Sequence, residues 1–106
     1  MSEVLLFTVD DVFQLSGRLG LVLVPGIPDL PGMPVVHIGS PIILSIPDGK
    51  RINTEVAGFE MLKFGGRSRP AILSTPLALP AGISKQDVPW GTKVFLVISG
   101  ASNTGA

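Results

Sequence analysis

Glycine and proline punctuate this chain too often for helix to be its main fabric. Thirteen glycines and ten prolines fall within 106 residues. Inside a helix each Pro costs about 3 kcal/mol and each Gly about 1 kcal/mol. Between the breaks lie short runs rich in Val, Ile, Leu and Phe. Runs of that kind, bounded by turn residues, predict an all-β fold, either a sandwich or a barrel. The length suits one domain, taken here as residues 1–98. The tail over 99–106 has nothing to bury and is predicted to be disordered.

The runs place strands at about 4–9, 12–16, 19–24, 35–38, 42–46, 51–64, 69–76 and 93–98. Pro47-Asp48-Gly49-Lys50 offers Pro for the first turn position and Gly for positive φ, so 42–46 and 51–64 should form a hairpin. Phe64-Gly65-Gly66-Arg67 reads as a second hairpin tip. Gly58 interrupts the long strand. Thr54 and Val56 share one face before it, and Phe59 and Met61 share the other face after it. That pattern predicts a bulge at Gly58, the device by which small barrels turn corners. Ser84-Lys85-Gln86-Asp87 predicts a single helical turn capped by Ser84 and stopped by Pro89.

Pro25, Pro28, Pro31 and Pro34 recur every third residue, the repeat of a polyproline II helix, so all four would line one edge of an extended segment. Two readings follow: a ligand for an aromatic groove, or a stiffened connection between strands. Gly26 and Gly32 soften the run and favour the second.

Formal net charge is zero, which argues against strong nonspecific attraction to nucleic acid or acidic membranes. No apolar run reaches the ~18 residues of a spanning helix. Glu3 and Asp10 sit in an N-terminus with no basic region, which makes a poor signal peptide. Cys is absent, which fits a reducing compartment. The chain therefore reads as soluble and cytoplasmic.

The motifs "DDVFQLSGR", "VHIGSPIIL", "TEVAGFEMLKF", "SRPAILST" and "ISKQDVPWGTKVFLV", in this order, resemble domain II of translational GTPases of the elongation factor Tu type. The likeness covers about residues 5–98. It implies a small closed antiparallel β-barrel. Three departures stand out: a Pro-rich insertion near 25–34, a short Gly65-Gly66 hairpin, and no third domain. Domain II in that family holds the aminoacylated end of tRNA. Carried over by position, the resemblance implies contacts from Asp10, Asp11 and Phe13, and from Glu60 and Lys63.

The residues themselves set further expectations. Arg67 and Arg69 lie beside Lys63 with no acid between them, a local basic patch that suits RNA. Phe13 is open to two readings, base stacking and core packing. Arg18 is better read as a structural partner of a carboxylate or carbonyl. Asp10 and Asp11, adjacent on a strand, would point to opposite faces and could not share a proton unless a bulge intervened. Trp90, on a predicted loop, is either a contact anchor or a lid over one barrel end. No P-loop is present: Gly49-Lys50 lacks the first Gly, with Leu44 in its place, and Arg51 replaces Ser or Thr. Ser84-Lys85-Gln86-Asp87 echoes a guanine-reading motif but reads as a turn. The one His, His37, has Ser40 nearby and no further partner for a triad. One His and no Cys make zinc implausible. No enzyme activity, nucleotide, cofactor or metal is expected. Two functions remain open: an RNA-contacting module, with the tRNA acceptor end as its weakly held partner, and a protein-interaction or self-associating barrel. The low charge, 15% of residues, and mean hydropathy of +0.52 favour the second.

Overall fold

A computed structural model describes residues 2–14, 20–60 and 74–98. The all-β expectation holds. The strands are β1 (Ser2–Thr8), β2 (Asp11–Gln14), β3 (Leu21–Pro28), β4 (Pro41–Ser45), β5 (Arg51–Glu55), β6 (Gly58–Phe59), β7 (Ser74–Ala78) and β8 (Lys93–Ile98). A single 3-10 turn covers Lys85–Asp87. The strands form two four-stranded sheets, every pairing antiparallel. Sheet A has the order β1-β8-β4-β5 and sheet B the order β2-β3-β7-β6.

The edges of the two sheets are continuous in the chain: β1 runs into β2, and β5 runs into β6. At the first corner the Val9 N–H donates to Thr92 O (2.7 Å) and the next amide, Asp10, donates to Val24 O (2.8 Å). At the second, the Val56 N–H donates to Ser40 O (3.0 Å) and Ala57 to Ala78 O (2.9 Å). Consecutive donors thus turn to different partners, and the N–H groups of all four corner residues are satisfied. Val9 and Val56 are both fully buried, which plugs the corners with apolar side chains.

The core lies between the sheets. Ile42, Leu44, Val94 and Leu96 enter from sheet A; Val12, Leu21, Leu23 and Leu77 enter from sheet B. Each such side chain contributes about 1.5–3 kcal/mol relative to exposure. Alternation fails in β1, where Leu6 and Phe7 are both buried. The cause is a register shift between Leu5 and Phe7 against β8, which adds one residue and turns neighbours to the same side.

The hairpin at Pro47–Lys50 forms as expected. Gly49 has φ +103°, and Asp48 Oδ1 accepts the Lys50 N–H at 2.9 Å. Three other expectations are corrected. Residues 35–38 are not a strand. The Ser40 N–H donates back to His37 O (3.0 Å), and Ser40 Oγ accepts the His37 N–H (2.9 Å), so a local turn takes the groups a ladder would need. The long strand expected over 51–64 is, in its described part up to residue 60, two strands in different sheets. The chain is re-aimed at Val56-Ala57, and Gly58 itself pairs in register with Ala78. The four prolines do not line one extended edge. Pro25 and Pro28 belong to β3, whereas the segment after it turns, with the Met33 N–H on Leu30 O (3.3 Å). The Gly65-Gly66 hairpin and the 99–106 tail lie outside the described residues.

β3 carries the fold's main irregularity. Pro25 has no N–H to give to a ladder, and the register with β7 shifts between Leu23 and Ile27. Gly26, at φ +101°, brings its backbone against β7: a Cβ there would lie 2.0 Å from Thr75 O. Only glycine fits both the dihedral and the approach.

Candidate binding site

The first corner builds a recess. Val12 points inward and is buried, which turns Asp11 and Phe13 to the outer face of β2. Asp10 precedes the strand, with its N–H committed to Val24 O. The corner does what a bulge would have done: Asp10 and Asp11 line the same recess, of about 170 Å³. Asp11 Oδ1 accepts the Val12 N–H at 2.8 Å, a short local bond that fixes the carboxylate beside the strand.

The opposite wall comes from the segment before β8. The Ser84 N–H and hydroxyl both donate to Asp87 Oδ2 (2.9 and 3.0 Å), and the Asp87 N–H returns to Ser84 O (3.0 Å). The Ser84 backbone donor, then its hydroxyl, hold the Asp87 carboxyl below its ordinary value, with Lys50 adding a smaller favourable field against a small desolvation effect. Val88 is buried and anchors the turn. Thr92, fully buried, donates its hydroxyl to Pro89 O at 2.8 Å. The Gly91 N–H donates to Val9 O (3.0 Å), tying the loop to the corner. Trp90 is therefore held on a fixed backbone while its side chain is 77% exposed. It lines the recess with Lys85 and Pro89.

The structure thus brings together Asp10, Asp11 and Trp90 of the residues singled out from sequence. Phe13 is 46% exposed and shares the outer face of β2 with Asp11, so it is not a core residue. Nor does Trp90 cap the interior. Glu60 lies just past β6, half-buried, with its N–H on Pro76 O (3.0 Å). β6 and β2 are opposite edges of sheet B, so Glu60 stands across the sheet from the recess. Lys63, Arg67 and Arg69, like Arg18, lie outside the described residues. Lys85 was missed. The Ser-x-x-Asp pattern before Pro89 was its signal, because a tight turn there puts Lys85 on the same side as Trp90.

Two carboxylates, one ammonium and an indole face can accept hydrogen bonds, pair with a cation and stack. Among the described residues no group of three or more His, Asp or Glu is placed to hold a metal ion, and no helix is long and apolar enough to cross a membrane. Comparison of the chain with protein-family models, with curated proteins and with solved structures finds no match in any of the three.

Proposed function

We propose that the chain is a non-catalytic binding module, a small closed barrel of the translational-GTPase domain II type that docks a protein through the Trp90 recess. Closure is supported by the continuity of both sheet edges: with β1–β2 and β5–β6 each taken as one bent strand, the order returns to its start. A ring of that kind removes free edges. The observation that carries the docking function is the exposure of Trp90 on a loop held on both sides of it by backbone hydrogen bonds from Val88, Gly91 and Thr92. Little ordering entropy is then lost on binding, and a large apolar face is gained.

Polarity at the recess favours protein over nucleic acid. Asp10 and Asp11 outnumber Lys85 among its charged groups, which repels phosphate. One observation favours RNA instead: Phe13 is exposed on the outer face, and an aromatic there can stack a base for about 1–3 kcal/mol. The basic residues Lys63, Arg67 and Arg69 would serve the same reading.

A photo-crosslinking residue in place of Lys85, in cells that produce the protein, separates the two. The expected adduct is destroyed by protease and survives ribonuclease. An adduct sensitive to ribonuclease establishes the RNA reading, and absence of any adduct overturns docking at this recess.

A further inference from the structure

A second recess, a groove of about 530 Å³, opens where the segment after β3 passes over the ends of β6 and β7. Ile27, Met33, Val36 and Phe59 form its floor, each half-buried and packed on the core from outside. Pro28 and Pro34 stand in its walls, and Leu30 is 43% exposed at the rim. The backbone beneath is fixed by the close approach of Gly26 to Thr75 and by the turn from Leu30 to Met33. The groove is therefore preformed, and its volume falls within the range of about 300–1,000 Å³ usual for small-molecule sites.

Its polar side chains are few: among the described lining residues Asp29 supplies the single charge and Thr75 a hydroxyl. Asp29 is exposed and has no ion-pair partner among the described residues. An apolar body laid on the Ile27, Met33, Val36 and Phe59 side chains gains by removing their surface from water. A carboxylate or phosphate would meet Asp29 with no cation among the described lining residues to offset it, whereas an ammonium is matched. We infer that this groove binds a small amphipathic amine, its apolar body on Phe59, Ile27, Met33 and Val36 and its ammonium at the Asp29 carboxylate. Met33 can adapt its thioether to different apolar shapes, so selectivity lies in the charge and the length rather than in fine outline.

Titration of the 106-residue chain with octylamine at neutral pH, read by backbone amide NMR, tests this. Saturable shifts are expected at Leu30, Met33, Val36 and Phe59. Octanoate, of matched length and opposite charge, should bind about tenfold more weakly or worse, the size of one charge-assisted contact. Asp29→Asn, an exposed change with no structural partner to lose, should bring the two ligands within about twofold of each other. Equal binding of octylamine and octanoate to the unaltered chain would overturn the inference. So would an absence of saturation, or shifts centred on Asp10, Asp11 and Trp90 instead of the groove.

Discussion

Sheets A and B share one core but differ in how regular the pairing is around one inner strand of each, β4 and β3. In sheet A, β4 pairs with β5 from Pro41↔Glu55 to Ser45↔Arg51 without a slip, and with β8 from Ile42↔Leu96 to Ser45↔Lys93, while the shift between Leu5 and Phe7 lies in the edge strand β1. In sheet B, β3 slips by Pro25, β6 has only two residues, and Gly20 just before β3 and Gly26 within it take the backbone of the 75–79 segment at close range. Both recesses border sheet B. A regular ladder fills its surface evenly with side chains. A bulged one leaves hollows and re-aims the residues beside them.

Core truncation probes the difference most strongly. Leu44 and Leu23 are both fully buried, one in each sheet. Leu44→Ala is expected to cost about 4 kcal/mol, and Leu23→Ala about 1 kcal/mol less, because an irregular strand collapses onto a cavity more readily. Urea unfolding midpoints give both. A larger loss for Leu23→Ala would show that β3 is held as rigidly as β4, and would break the comparison.

Glycine substitution follows. Gly26→Ala places a Cβ against Thr75 O at an already unfavourable φ, so a loss of about 3 kcal/mol is expected. Gly49→Ala meets the same dihedral penalty in open space, and about 1 kcal/mol should be lost. Similar losses at the two sites would mean that β7 moves away freely, leaving the groove less fixed than its contacts imply. Trp90→Ala, in contrast, should change stability by under about 0.5 kcal/mol while removing the crosslink from position 85. A marked loss of stability would make Trp90 a packing residue after all.

Sheet A was the more legible half. Its strands alternate or run apolar between clear turns, so 42–46 and 93–98 agree with β4 and β8 almost to the residue. The Pro47–Lys50 turn was legible because each residue there has one local job. Sheet B was not. Whether Val35 and Ile38 join a ladder depends on where Ser40 sends its N–H and hydroxyl, which periodicity does not report. The switch of sheets at Val56-Ala57 was visible as a change of face but was assigned to Gly58, because glycine is the usual marker and Val56 and Ala57 carry none. At the candidate site, Asp10 and Asp11 were visible as a pair, but not as neighbours of Trp90. Some eighty residues separate them, and they are joined by hydrogen bonds in which Val9 accepts from the Gly91 N–H and donates to the Thr92 carbonyl.

The smallest effect expected concerns the turn that presents Trp90, and it is read through pH. Asp87 has its carboxyl held below its ordinary value of 3.8, chiefly by the Ser84 N–H and then the Ser84 hydroxyl. A carboxyl lowered in the folded state stabilises that state above its unfolded value. The stabilisation fades as pH falls from there through the folded value. Asp87→Asn should therefore unfold earlier in urea than the unaltered chain at neutral pH, and the gap should close below about pH 3.8. The group is fully exposed, so the gap is small and screened by salt. A gap that stays constant into acid would show that the charge of Asp87 is not what stabilises the turn, and the absence of a gap would show that an amide oxygen accepts the Ser84 hydrogen bonds equally well. Trp90 would then be presented by a turn indifferent to pH, and docking at the recess would carry no acid sensitivity from this wall.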